Sequence, residues 1–194
     1  SSYIFVDIER GTKEFDHASD VLRQTEFNQP SVLTVDYAMF RLLERLGVKP
    51  DVVMGHSLGE YGALIASGVM RFDDALRAVS ARGSEMRDLK LDDPGKMASV
   101  MAGLKEVEEV LSDIDEYIIP ANKNCHIQTV IAGTSKAVEE ALSRFKDRGI
   151  EAVQLPVSHA FHSEVIAPAK APLRRHLSKL KIEPPSIPIL SNVT

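Results

Sequence analysis

Ser57 lies within Gly55-His56-Ser57-Leu58-Gly59, and its surroundings make its hydroxyl a candidate nucleophile. Upstream, Pro50-Asp51-Val52-Val53-Met54 is a short apolar run with β-branched residues, which reads as a buried strand. Downstream, Glu60 to Gly68 reads as a helix ended by glycine. A serine on a sharp strand-to-helix turn stands at the helix N-terminus, where backbone N–H groups and the dipole favour a developing oxyanion. The small residues on both flanks permit that turn.

A serine nucleophile needs a base, and the chain has six histidines. His56 adjoins Ser57, and neighbouring side chains on a turn diverge, so a structural or hydrogen-bonding role suits it better. His17, His126 and His176 stand in polar stretches and read as surface residues. His159 and His162 fall in Pro156-Val157-Ser158-His159-Ala160-Phe161-His162-Ser163, directly after an apolar strand signal. Two histidines three apart could begin a metal site, but no acidic or cysteine cluster completes a ligand set, so no metal is expected. One of the two as general base for Ser57 is the better reading.

The elements that must position these residues suggest an α/β scaffold. Pro30 to Leu46 reads as a largely buried helix, with Gly47 and Pro50 closing it. Phe72 opens another helix that runs to about Asp88, with acidic residues in its first turn. After Asp92-Asp93-Pro94-Gly95, a turn, the texture changes. There follow a strand at 96–102, an amphipathic helix at 105–114, strands at 117–120 and 128–132, a helix at 135–148 and a strand at 150–157. The order β-α-β-β-α-β is that of a ferredoxin-like module. Apolar signals resume at Val165 and at Ile187-Pro188-Ile189-Leu190, so the module reads as an insertion. The expected division is residues 1–94 with 160–194 as one core and 95–159 as the inserted subdomain. Residues 1–20 carry no clear pattern.

Bulk properties narrow the function classes. A chain of 194 residues with 44% hydrophobic and 26% charged residues can bury a sizeable core, as an ordinary globular protein does. A formal net charge of -5 argues against nucleic-acid binding. No apolar run is long enough to span a membrane and nothing reads as a signal peptide, which makes a cytoplasmic location the expectation. Cys125 is the only cysteine, so no intrachain disulfide can form.

Taken together, Gly-His-Ser-Leu-Gly-Glu at 55–60, Arg82-Gly83 and His159-Ala160-Phe161-His162-Ser163 resemble the malonyl-CoA:acyl-carrier-protein acyltransferase family. That family includes the acyltransferase domains of polyketide and polyunsaturated fatty-acid synthases. The likeness extends to Gln24-Thr25, Gln29-Pro30, Asn122 to Gly133 and Ser191-Asn192-Val193-Thr194, and so over nearly the whole chain. It implies an α/β-hydrolase-like core carrying a ferredoxin-like insert. It also implies that Ser57 attacks an acyl-CoA thioester with His162 as its base and the Leu58 N–H as one oxyanion donor. The acyl group then passes to the phosphopantetheine thiol of an acyl carrier protein, in fatty-acid or polyketide synthesis. No bound cofactor is implied; malonyl-CoA is the donor, and neighbouring synthase domains are possible partners.

In the family, an arginine at the position of Arg82 grips the free carboxylate of the extender group with two parallel hydrogen bonds. Otherwise Arg82 is a helix-surface residue bonded to water, Glu85 or Glu60. His-Ala-Phe-His accompanies malonyl, because Phe161 fills the space that an α-methyl needs, and Leu58 agrees. Gln29 resembles a pocket-wall glutamine and Asn122 with Asn124 an asparagine pair near the active site, unless these serve turns and loops. His159 joins them as a substrate-binding candidate. The basic stretch Leu173-Arg174-Arg175-His176 with Lys179 and Lys181 could meet an acidic carrier protein, although a solvated helix face is the simpler reading. The Gly-Gln-Gly loop that begins family members and the segment following their Ser-Asn-Val-Thr strand are missing, so the resemblance implies the middle of an acyltransferase. Two other readings are a serine hydrolase or thioesterase using the same turn, and a non-catalytic interaction fragment.

Overall fold

The computed structural model describes residues 7–192. In chain order the elements are α1 (Lys13–Arg23), α2 (Thr25–Arg45), β1 (Val53–Met54), α3 (Gly59–Ala66), α4 (Phe72–Arg87), β2 (Lys96–Val100), α5 (Leu104–Leu111), β3 (Ile118–Cys125), β4 (Gln128–Gly133), α6 (Ser135–Asp147), β5 (Ala152–Gln154), a 3-10 helix (Glu164–Ala169), α7 (Lys170–Leu177) and β6 (Ile189–Leu190). They form two compact units: residues 1–88 with 171–194, and residues 89–170. The stretch 160–170 thus groups with the second unit, through buried Ala160, whose N–H donates to the Pro94 carbonyl.

In the first unit, β1 and β6 pair in parallel, Val53 opposite Ile189 and Met54 opposite Leu190. Leu33, Met70, Ala75 and Val79 make a buried cluster, and Leu58, Tyr61, Leu64, Ile65, Leu76 and Leu180 pack against it. Apolar residues recurring at helical spacing on α3 and α4 explain that cluster, since each helix turns one stripe inward. Two expectations are corrected here. Helix α2 starts at Thr25, five residues ahead of Pro30, which it carries in its interior. Its far end is not buried: Met39, Leu42 and Leu46 are exposed, because the helix packs on one side only, through Leu33, Gln29 and Thr25. The buried strand expected at 50–54 shrinks to the two residues that reach β6, and Val52 and Met54 are exposed. The unpatterned start contains α1, whose first turn is capped by the Thr12 hydroxyl accepting from the Phe15 N–H.

The second unit is one antiparallel sheet in the order β3-β4-β2-β5, with α5 and α6 supplying its main core together with Phe145, Val138, Val107 and Val110. The amphipathic spacing of α5 and α6 makes this burial legible from sequence. Strand β3 runs to Cys125, well past the expected end at Pro120, with register shifts at Pro120/Asn122 and Lys123/Cys125. Strand β5 covers only Ala152–Gln154 of the expected 150–157. Met97, Val130, Ala132 and Ala160 form a smaller cluster that takes in Phe161 and Val165.

Candidate active site

Ser57 lies between β1 and α3 with φ +53°, in the left-handed region. Holding a non-glycine residue there costs about 1–3 kcal/mol, so the neighbouring structure must impose it. Part of that constraint is steric: a Cβ at Gly55 would overlap the backbone of Gly59 and Glu60, so only glycine lets the chain close so tightly. No such need exists at Gly59, where a side chain would meet open space. The amides of Gly59, Glu60 and Tyr61 are taken by the carbonyls of His56, Ser57 and Leu58, at 2.9, 3.1 and 3.1 Å. The Leu58 amide, at the N-cap of α3, precedes these three.

Arg82 is half-buried on α4, and its Nη1 donates to Gln29 Oε1 over 2.7 Å. Gln29 is 4% exposed, and its Nε2 meets Met86 Sδ at 3.6 Å, which orients the amide oxygen toward the guanidinium. Helices α2 and α4 approach closely enough for this because Gly83 has no side chain and Thr25 Oγ1 donates to the Gly83 carbonyl at 3.0 Å. Burial pushes the Arg82 guanidinium down from its ordinary value and Tyr61 pulls it back up. It stays charged nonetheless, as arginine does in proteins. Neither carboxylate named above takes it: Glu85 bonds His176 at 3.0 Å, and Glu60 accepts from Asn192 at 3.4 Å. The result is a half-buried cation held by a neutral amide, which suits it to an incoming anion. Burial likewise raises the Tyr61 hydroxyl, against the pull of Arg82, so Tyr61 stays protonated beside it.

The second unit carries the remaining candidates. His162 has φ +59°; Ser57 and His162 are the non-glycine residues of positive φ among the described residues. Anchors on both sides fix the His162 backbone. Ala160 is buried, the Ser163 hydroxyl donates to the Ala160 carbonyl at 2.6 Å, and the Glu164 N–H donates to the Tyr117 hydroxyl at 2.9 Å. His159 is half-buried, with Nδ1 2.9 Å from Ser158 Oγ and its ring 6.0 Å from that of Phe161. Burial lowers its pKa and so favours the neutral imidazole. Asn122 and Asn124 lie on β3 and not in a turn, and Asn124 Nδ2 donates to Gln128 Oε1 at 3.0 Å. His176, expected as a lone surface residue, is the partner of Glu85.

Ser57, Leu58, Gln29 and Arg82 thus belong to the first unit, and Asn122, Asn124, His159, Phe161 and His162 to the second. Sequence reasoning missed Met86, although Arg82 and Met86 lie four apart on one helix face. It missed Tyr61 as the neighbour of Arg82 for want of any local signal. Among the described residues no group of three or more His, Cys, Asp or Glu could hold a metal ion. No helix among them is long and apolar enough to cross a membrane.

Comparison with known proteins places this geometry in context. A family model described as an acyl transferase domain matches residues 14–194. The chain is 36% identical over 185 residues to the malonyl CoA-acyl carrier protein transacylase of Bacillus subtilis, covering 93% of this chain and 58% of that protein. It is 37% identical over 179 residues to the mycoketide-CoA synthase of Mycobacterium tuberculosis, covering 92% of this chain and 4% of the synthase. Among solved structures, the malonyl CoA-acyl carrier protein transacylase of Coxiella burnetii superposes with a TM-score of 0.85 at 36% identity, covering 98% of this chain and 60% of that one. The acyltransferase domain from the second module of the salinomycin polyketide synthase gives 0.82 at 36% identity, with 100% and 45% covered. The chain therefore spans little more than half the length of the stand-alone relatives it matches.

Proposed function

Because the chain belongs to the acyl transferase domain family, we propose that it serves malonyl transfer from coenzyme A to the phosphopantetheine thiol of an acyl carrier protein. The observation that carries this reading is Arg82: a half-buried guanidinium, bonded to a buried glutamine and paired with no carboxylate among the described residues. A hydrolase acting on neutral acyl esters gives such a cation no task, whereas an acyl group ending in a carboxylate supplies its missing partner.

The chemistry follows from the residues. Ser57 Oγ attacks the thioester carbonyl and its proton passes to His162. Negative charge grows on the carbonyl oxygen, where the Leu58 N–H and the positive end of α3 stabilise it. The tetrahedral intermediate collapses, the C–S bond breaks, and the coenzyme A thiolate leaves with the proton held by His162. The carrier-protein thiol then attacks the malonyl-serine ester, and the reverse sequence regenerates Ser57. Arg82 holds the free malonyl carboxylate throughout, with Gln29 fixing the guanidinium. Neutral His159, Asn122 and Asn124 provide hydrogen bonds to the substrate, and Phe161 disfavours an α-methyl group. In fold terms, the parallel β1–β6 pair with its helices is read as part of an α/β-hydrolase-like core. The β3-β4-β2-β5 sheet with its two helices is read as the ferredoxin-like insert.

The test is intact-mass analysis of the chain after brief incubation with malonyl-CoA, beside Ser57→Ala and Arg82→Ala. The expected result is a malonyl-sized adduct that is lost in Ser57→Ala and weakened in Arg82→Ala. An adduct that survives Ser57→Ala, or an acyl preference indifferent to Arg82→Ala, would overturn the reading.

A further inference from the structure

We propose that Asn192 is the positioning residue of the Ser57 turn, acting as a clasp between its two ends. The left-handed backbone of Ser57 has to be imposed from outside the residue, and Gly55 supplies only room for it. Asn192 supplies the tie. Its side-chain Nδ2 donates to the Gly55 carbonyl, the last acceptor before the turn. The same Nδ2 and the Asn192 backbone N–H both reach Glu60 Oε1, in the first turn of α3, at 3.4 Å. One residue thus holds the entry and the exit of a turn that it does not belong to.

Topology explains why a residue so distant in sequence can do this. Strands β1 and β6 are parallel and in register, so their C-terminal ends lie at the same edge. Ser57 follows the end of β1 by three residues, and Asn192 follows the end of β6 by two. An amide on a short stem suits that position because its N–H groups donate to both acceptors; an aspartate there would lack the donor. The clasp also engages Glu60, a negative charge in the first turn of the helix at whose head Ser57 stands. Held by Asn192, that carboxylate is fixed on the strand side of the turn.

This inference rests on Ser57 being the nucleophile for its consequence in catalysis, but not for its structural content. The test therefore has two readouts on the full chain. The first is hydrogen exchange of the peptide covering 55–61, in wild type, Asn192→Ala and Asn192→Asp. Both variants are expected to lose protection in 55–61 while the segment 96–147 exchanges as in wild type. The second is the rate of Ser57 acylation by malonyl-CoA, expected to fall on the order of 100-fold, the effect of misplacing a reacting group by about 1 Å. A general packing role would not produce one further signature. In Asn192→Asp a carboxylate of nearly the same size, which cannot donate, stands where the amide met the Gly55 carbonyl and Glu60 Oε1. Asn192→Asp should therefore lose protection in 55–61 as fully as Asn192→Ala, whereas protection like that of wild type in Asn192→Asp would mean packing alone and overturn the clasp. Unchanged exchange in 55–61 in both variants would overturn the clasp. Absence of a malonyl adduct in wild type would instead strike the functional reading, with the exchange data still deciding on Asn192.

Discussion

Arg82 Nη1 and Gln29 Oε1 are 2.7 Å apart although 53 positions separate them in the chain. The pairing matters because the amide satisfies one guanidinium donor without neutralising the charge. The remaining donors keep their appetite for an anion, and the glutamine fixes the plane in which they point. Hydrogen bonds to charged groups contribute about 1.5–3 kcal/mol, so Arg82→Ala is expected to slow malonyl loading by roughly ten- to a hundredfold. Loading from acetyl-CoA, which has no free carboxylate, should change far less. Gln29→Glu places a carboxylate on Arg82 and should reduce malonyl loading while leaving the guanidinium in place. Initial adduct rates by intact mass, with both donors, check all three.

That pairing depends on how closely α2 and α4 approach. A Cβ at Gly83 would lie 2.6 Å from the Thr25 carbonyl oxygen and 2.8 Å from Glu26 Cα, both parts of a backbone that cannot swing aside. Gly83→Ala should therefore destabilise the first unit by about 1–3 kcal/mol, as overpacking does. Because Gln29 rides on the displaced helix, malonyl selectivity over acetyl should fall as well. Thermal unfolding together with the two-donor loading assay separates these effects.

Much of this was legible in the sequence, and the exceptions share a cause. The α5 and α6 stripes, Val107 with Val110 and Val138 with Phe145, announce themselves through period, and the structure buries all four. The Ser57 turn announces itself through Gly55 and the change from strand to helix pattern. Strand β3 does not, because Asn122, Lys123 and Asn124 are poor strand formers, and only pairing with β4 holds them extended. Pro30 reads as a helix start, yet α2 carries it internally because the helix begins with buried Thr25 and Gln29 packed on α4. The clasp by Asn192 and the bond of Gln29 to Arg82 are tertiary relationships, invisible to any local period.

Phe161 is expected to set the choice of acyl group. It is half-buried, in contact with the cluster of Met97, Val130, Ala132 and Ala160, so its ring is held and cannot simply rotate away. Under the proposed function, Phe161→Ser opens room for an α-methyl group. One methyl in such a pocket is worth about 1–3 kcal/mol, so methylmalonyl loading relative to malonyl should rise about tenfold or more. Competition between the two coenzyme A esters, read as the ratio of the two adduct masses, measures this. An unchanged ratio would remove Phe161 from the specificity argument.

Asp93 gives the second unit a pH dependence whose sign is fixed by its bonds. Its carboxylate accepts from the Ser135 hydroxyl at 2.6 Å, the Ser135 amide at 2.7 Å and the Gly95 amide at 2.9 Å. These bonds, the Ser135 hydroxyl foremost, hold its carboxyl below the usual carboxylate range against the opposing effect of burial. A carboxyl with a depressed folded pKa binds fewer protons folded than unfolded, so the folded state gains stability as the pH rises. The contribution is complete above the unfolded value of about 4 and disappears as the pH falls through the lower folded value. Asp93 also joins the turn before β2 to the first turn of α6, so the loss is felt across the sheet. Asp93→Asn should cost about 1.5–3 kcal/mol at neutral pH, the worth of hydrogen bonds to a charged group. The gap between variant and wild type should then close in acid. Urea unfolding followed by circular dichroism, from about pH 7 down to about pH 3, spans the window; a gap that stays constant throughout would mean that the charge on Asp93 is not what holds the turn to α6.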